Sequence, residues 1–178
     1  MEPLTMFERA ASAASVLARS VRPEQTALAT PCTEWDVAAL LEHMAGGPAY
    51  LLGALGAEGV DPGAWPAQSV VDAVVGRLSE PGALDRRCLS PAGFEWSVAE
   101  AAAGTAMDQL IHTWDLAVAL GADRAVDAEL TDAVVAMFLP QMPEVGRQAG
   151  FVGPAVAVAA GASPRDVLLG AMGRDPRR

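Results

Sequence analysis

The sequence predicts an all-α protein built as an antiparallel helical bundle. Apolar residues recur at three- and four-residue spacing over several stretches, and helix-capping patterns stand before some of them. No stretch shows the alternation expected of a confident strand ladder. A chain of 178 residues can bury a core without disulfides, so we expect residues 1–178 to form a single domain.

The first two helices are predicted over residues 4–21 and 34–55. Residues 4–21 carry one apolar stripe at helical spacing. Thr33 and Asp36 match the pattern of a capping box and predict the start of the second helix. The segment Gly46-Gly47-Pro48 either kinks this helix or interrupts it, because a proline removes one hydrogen bond and crowds the preceding turn.

The remaining chain contains further helices separated by breakers. A loop is predicted over residues 56–67, and a short extended stretch or loop over residues 79–96, because both are rich in Gly and Pro. Ser97 and Glu100 form a second capping box, and Gly121 is a C-terminal signal for the helix that it opens. The predicted helices after the first two cover residues 69–78, 97–120, 128–140 or slightly beyond, and 163–172.

Composition limits the partners and the compartment. The formal net charge is −10 and the chain contains no Lys, so we expect no nucleic-acid partner. The longest apolar run, residues 152–162, is interrupted by Gly and Pro and is too short to span a bilayer, so no membrane partner is expected. The start of the chain lacks the pattern of a secretory signal and two cysteines are too few for a disulfide framework, which favours the cytoplasm.

The two histidines of the chain are the main chemical signal. Asp108 and His112 lie four residues apart on one helix, so that their side chains can reach one point. With His43 from another helix, they make a plausible three-ligand metal site. Imidazole and carboxylate ligands suit Zn²⁺, Ni²⁺ or Fe²⁺ and leave positions open for a small molecule. The four-residue spacing of Asp108 and His112 also fits a simple pair on the protein surface. Each histidine taken singly also fits a residue packed in the core that binds no metal.

Three further residues are candidates for the surroundings of this site. Asp115 lies on the same stripe as His112, where it either orients the free ring nitrogen or has a structural role. Tyr50 and Trp114 either line a pocket or fill the core. Cys32 could act as a nucleophile only with a base near it, and its position in a turn favours a structural reading. A serine hydrolase is disfavoured because no Gly-x-Ser-x-Gly segment occurs.

Four segments carry a resemblance to a known family. They are TPCTEWDV at residues 30–37, LLEHM at 40–44, HTWDLA at 112–117 and GAMGRDP at 170–176. In this order they resemble the DinB-like superfamily, in particular the metal-binding domain of mycothiol-dependent maleylpyruvate isomerases and its small relatives. The resemblance implies a DinB-like antiparallel four-helix bundle with a short additional C-terminal helix.

The resemblance also implies a site and a function. The family's metal ligands carry over to His43, Asp108 and His112, although the isomerase has Glu where this chain has Asp108. The implied activity is that of a metal-dependent S-transferase or isomerase that uses mycothiol as a thiol cosubstrate. The chain ends soon after the bundle, so the complete thiol-binding surface of the isomerase is not expected. A non-catalytic metal- or small-ligand-binding protein and a metal-free helical interaction protein stay open, as does a homodimer.

Overall fold

The computed structural model describes residues 1–57 and 61–178, where the chain forms seven α-helices and one two-stranded sheet. The all-α prediction is confirmed. Residues 58–60, part of the predicted loop 56–67, lie outside the described residues. The elements are α1 (Pro3–Ala18), α2 (Val37–Leu55), α3 (Gln68–Leu78), β1 (Arg87–Leu89), β2 (Glu95–Ser97), α4 (Val98–Leu120), α5 (Ala128–Phe138), α6 (Met142–Gln148) and α7 (Pro164–Ala171).

The chain divides into two compact units, residues 1–124 and residues 125–178. In the first unit, α4 packs against both α1 and α2, and α3 packs against the same two helices. The four helices therefore enclose one core, in which small residues such as Ala14 and Ala18 of α1 face larger ones such as Leu40, Met44 and Leu116. This unit is the predicted four-helix bundle.

Helix α2 begins later than predicted. Its N-cap is Asp36, whose carboxylate accepts a hydrogen bond from the backbone N–H of Ala39 at 2.9 Å. The prediction that Thr33 caps a helix from residue 34 is wrong, because residues 30–36 form a compact turn instead. An isolated antiparallel bridge between Ala29 and Asp36 closes that turn.

Proline does not interrupt α2. Pro48 has no N–H to donate to the carbonyl group of Met44, one turn earlier. The side-chain amide of Gln109 on α4 donates to this carbonyl oxygen instead, at 2.7 Å. The helix therefore continues through Pro48, and the substitute bond joins α2 to α4 one residue away from His43.

Helix α4 is the central helix of the first unit. The predicted capping box is present, with Glu100 N–H donating to the Ser97 hydroxyl at 3.1 Å and Ser97 N–H donating to the Glu100 carboxylate at 2.6 Å. Gly121 closes the helix in the left-handed conformation at φ 64°. Since α4 is buried on most of its circumference, its polar residues are carried into the bundle.

The short extended stretch or loop expected over residues 79–96 contains most of a small hairpin. Strands β1 and β2 pair antiparallel, with Cys88 opposite Trp96. The pairing is only three residues long, which explains why no strand ladder is visible in the sequence.

The second unit is small. Helix α5 packs against α7, and Ser163 caps α7 as predicted by accepting from the N–H of Asp166 at 3.2 Å. The fifth predicted helix is α5, which ends at Phe138, two residues before Pro140. The short helix α6, which begins at Met142, was not predicted. None of the described helices combines the length and apolarity needed to cross a membrane.

Candidate metal centre

The structure brings His43, Asp108 and His112 together. His43 Nε2 lies 3.2 Å from Asp108 Oδ1, and His112 Nε2 lies 3.4 Å from the same oxygen. The three potential ligand atoms all lie within 4.8 Å of one another. Two distant parts of the chain, on α2 and α4, therefore present two imidazole nitrogens and one carboxylate oxygen to one point.

The cluster is open on one side and closed on the other. The side chains of His43 and Asp108 are 38% and 36% exposed, whereas that of His112 is 8% exposed and that of Asp115 is fully buried. A small molecule can therefore approach from the side of His43, while the far side of the His112 ring faces the protein interior.

Asp115 lies within hydrogen-bonding distance of the second ring nitrogen of His112. Asp115 Oδ2 lies 2.9 Å from His112 Nδ1, on the side of the ring opposite to Asp108. A carboxylate in this place accepts the Nδ1 proton and leaves the Nε2 lone pair for a cation. The sequence left this role open beside a structural one, and the distance favours the orienting role.

Two residues next to the cluster were not predicted as part of the site. Cys32 Sγ lies 3.3 Å from Asp115 Oδ2 and 3.9 Å from His112 Nδ1. The ring of Trp35 lies 4.6 Å from the His43 ring and 5.7 Å from the His112 ring, measured between centroids. Both belong to the turn before α2, and the segment TPCTEW was the signal that could have found them.

The carboxylates of Asp108 and Asp115 lie on either side of the His112 ring and dominate the electrostatics of the cluster. Burial alone would lower the pKa of His112, but the charge of Asp108 and hydrogen bonds to Asp108, Asp115 and Cys32 raise this pKa well above its usual value. Burial alone would raise the pKa of Asp108, but the charge of His112 and hydrogen bonds from both histidines hold it well below its usual range. Positive charge is therefore stabilised at this point.

The other two predicted pocket residues lie in different surroundings. Tyr50 accepts a hydrogen bond from Trp96 Nε1 at 2.6 Å and donates to the carbonyl oxygen of Leu89 at 2.9 Å, so it is joined to the hairpin. Trp114 is 1% exposed, and its indole N–H has no partner among the described residues. Neither residue is joined to His43 by a hydrogen bond found in the described chain.

The donor set fits a divalent transition-metal ion. Two neutral imidazoles and one carboxylate are common ligands of Zn²⁺, Ni²⁺ and Fe²⁺. In a tetrahedral site with bonds of about 2.0–2.2 Å, nitrogen and oxygen ligands lie about 3.3–3.5 Å apart. The separations of 3.2 Å and 3.4 Å around Asp108 are close to this value before any rearrangement.

The fold and the cluster together define a helical-bundle protein with a candidate metal site between α2 and α4. A family model, described as the mycothiol maleylpyruvate isomerase N-terminal domain, matches residues 7–87, a segment that includes His43 and ends before α4. Two uncharacterized proteins of Mycobacterium tuberculosis, from strains CDC 1551 / Oshkosh and ATCC 25618 / H37Rv, are each 33% identical over 136 residues. The similar regions cover 73% of this chain and 74% of each relative.

The chain belongs to the family of the mycothiol maleylpyruvate isomerase N-terminal domain. No solved structure matches it. The resemblance stated from the four sequence segments is confirmed at the level of the family.

Proposed function

We propose that this protein binds one divalent metal ion through His43, Asp108 and His112, and that it acts on a low-molecular-weight thiol of the mycothiol type as an S-transferase or isomerase. The observation that carries the proposal is the convergence of three ligand atoms within 4.8 Å, from two helices, in a chain of this family. Zinc, nickel and iron are the candidate ions.

The roles of the residues follow from their positions. His43 and Asp108 hold the ion from the open side, and His112 holds it from the buried side with its ring oriented by Asp115. Trp35 lies against both imidazole rings and limits the access of water to them. When bound, a divalent ion with three protein ligands supplies Lewis acidity and an open coordination position for a small molecule.

Elemental analysis tests the metal claim. Protein purified without a metal-affinity tag should carry close to one equivalent of a divalent transition metal per chain. His43→Ala and Asp108→Ala should carry almost none. Glu42→Gln is the matched control, because it removes a carboxylate adjacent to His43 that lies on the exposed surface of α2, and it should keep the metal. Wild-type protein without metal under these conditions would support the metal-free interaction protein instead.

A thiol-dependent reaction tests the chemical claim. The metal-loaded protein is mixed with mycothiol and maleylpyruvate, and separately with mycothiol and a simple electrophile. We expect turnover that requires both the thiol and the metal and that His43→Ala abolishes. Stoichiometric metal without any thiol-dependent turnover would contradict the transferase or isomerase and would favour a non-catalytic metal- or ligand-binding protein.

A further inference from the structure

The His112 ring faces a different set of donors at each of its two nitrogens. Nε2 points to Asp108 and the proposed metal centre, whereas Nδ1 lies near Asp115 and Cys32. The second set contains a thiol, a carboxylate and an imidazole nitrogen, which is the ligand chemistry of thiolate-containing metal sites.

The three atoms of the second set lie at distances close to those of coordinated ligands. The separations are 3.9 Å from Cys32 Sγ to His112 Nδ1, 3.3 Å from Cys32 Sγ to Asp115 Oδ2, and 2.9 Å from His112 Nδ1 to Asp115 Oδ2. For bonds of about 2.3 Å to sulfur and about 2.0 Å to nitrogen and oxygen, tetrahedral geometry requires about 3.3–3.6 Å. Shifts of a few tenths of an ångström would therefore suffice.

The turn before α2 holds Cys32 in this place. The Thr30 hydroxyl accepts from the N–H of Cys32 at 3.1 Å and donates to the carbonyl oxygen of Trp35 at 2.8 Å. The N–H of Trp35 in turn donates to the carbonyl oxygen of Cys32 at 2.9 Å. The thiol is therefore presented to His112 and Asp115 by a turn with several internal hydrogen bonds, which reduces the cost of ordering it around an ion.

The charges of the two sets differ. A thiolate and a carboxylate together balance both charges of a divalent cation, whereas the set of His43, Asp108 and His112 contributes only one negative charge. Sulfur also favours thiophilic cations such as Cd²⁺ and Zn²⁺ over Ni²⁺ or Fe²⁺. Relative to the first set, the second set should therefore favour Cd²⁺ and Zn²⁺ over Ni²⁺ and Fe²⁺.

We propose that Cys32, His112 and Asp115 form a second, thiolate-containing site for a thiophilic divalent cation, and that this site and the first cannot be filled together. A neutral imidazole has one lone pair for a metal, so His112 coordinates through either Nδ1 or Nε2. Starting from the ring protonated at both nitrogens, binding at the second site forms bonds to Sγ, Nδ1 and Oδ2. The thiol proton and the Nδ1 proton pass to solvent, and the now neutral ring keeps its proton on Nε2. The claim that the two sites cannot be filled together rests on the proposed function, whereas the claim that the second site binds a cation does not.

Cadmium titration of the full chain tests the second site. Metal-free protein is titrated with Cd²⁺, and the thiolate-to-cadmium charge-transfer absorption is recorded in the ultraviolet. The signal should saturate at one equivalent in the wild type and in Cys88→Ser, and it should vanish in Cys32→Ser. Because the chain contains two cysteines, Cys88→Ser is the matched control. A missing wild-type signal, or one that depends on Cys88 and not on Cys32, would overturn the proposal.

Two variants separate this site from the proposed metal centre. His43→Ala should lose the visible spectrum of Co²⁺ bound at the first centre and keep the cadmium–thiolate signal. Cys32→Ser should keep the Co²⁺ spectrum and lose the cadmium–thiolate signal. The Co²⁺ spectrum would also show that this variant is folded. If His43→Ala loses the cadmium–thiolate signal while its helical circular dichroism is intact, Cys32 belongs to one common centre and the inference is wrong.

Competition tests the exclusion. Addition of Cd²⁺ to the Co²⁺-loaded wild type should release Co²⁺ one for one, and both ions bound at the same time would contradict a shared His112. If neither the wild type nor any variant binds Co²⁺ but the cadmium–thiolate signal depends on Cys32, the proposed function is wrong and the second site is supported.

Discussion

Helix α2 presents two polar aromatic side chains two turns apart, His43 and Tyr50, and their surroundings differ in kind. Tyr50 is part of a neutral network with Trp96 and the carbonyl group of Leu89, and its pKa is raised to about 12, first by burial and then by the bond to Cys88. His43 instead meets a carboxylate that also contacts a second histidine.

The difference shows how a functional cluster can be distinguished from a structural one. Around Tyr50 each polar group finds a neutral partner within the protein, so nothing needs to be added. Around His43 the two separations from Asp108 Oδ1 to the histidine nitrogens, 3.2 Å and 3.4 Å, are close to those between ligands of one cation, and two carboxylates lie beside His112. Under the proposed function, the Tyr50 network contributes to stability and the His43 cluster binds a ligand, and the following predictions test this division.

The largest effect is expected on metal affinity. Asp108→Ala removes the one charged ligand of the proposed metal centre and should weaken binding of Co²⁺ by more than about 100-fold, since loss of a residue that only supports a ligand already costs about 10–100-fold. Tyr50→Phe should leave the affinity unchanged. Isothermal titration calorimetry of Co²⁺ binding to the two variants measures this difference. Equal losses of affinity in both variants would contradict the separation of the Tyr50 network from the His43 cluster.

The next effect concerns the contact between α2 and α4. A Cβ atom at Gly47 would lie 2.8 Å from Thr105 Cγ2 and 3.0 Å from Gln109 Nε2, whereas at Gly46 it would meet no side chain of the described residues within 4 Å. Gly47→Ala should therefore lower the free energy of unfolding by about 1–3 kcal/mol through overpacking, and it should weaken metal binding by separating the helices.

Gly46→Ala is the control for this substitution. It should keep the metal affinity and keep or raise stability, by up to about 1 kcal/mol, because alanine favours the helix. Urea denaturation of the two variants provides the stabilities. A Gly47→Ala protein as stable as Gly46→Ala would show that α2 and α4 are less closely packed than the structure indicates.

The pH dependence of metal binding gives a further test. An ion at Nε2 must displace a proton from His112, whose pKa lies well above the usual value. The affinity should therefore continue to rise above pH 7, by about tenfold per pH unit for one displaced proton, until the pH passes the pKa of His112. A plateau already near pH 6.5, the usual value for free imidazole, would contradict the cluster's electrostatics.

The smallest effect is expected at the hairpin. Tyr50→Phe leaves the indole N–H of Trp96 without its acceptor and should lower the free energy of unfolding by about 1 kcal/mol. Thermal unfolding of the metal-free wild type and of the metal-free variant measures this loss of stability. A loss of metal binding in this variant, with the fold intact, would show that the two regions of α2 are not separate.

The sequence predicted those features that local signals determine. The capping box of Ser97 and Glu100, the stop at Gly121 and the shared face of Asp108 and His112 all depend on residues within one helix. The structure agrees with each of them. The continuity of α2 through Pro48 was left open, because it depends on a hydrogen bond from Gln109, a residue 61 positions away in the chain.

The turn before α2 was the main feature that local signals misplaced. Thr33 and Asp36 look like a capping box, but Asp36 itself is the cap because the bridge to Ala29 and the bonds of Thr30 fold the preceding residues into a turn. The same turn brings Cys32 to His112. That contact depends on the packing of α2 against α4 and could not be read from spacing along either helix.

Anomalous diffraction from crystals of the untagged protein, collected at the absorption edge of the metal found by elemental analysis, would show whether a metal ion lies between α2 and α4. We expect one strong peak within bonding distance of His43 Nε2, Asp108 Oδ1 and His112 Nε2. A map without a peak there, or with a peak that His43 does not touch, would contradict the proposed metal centre.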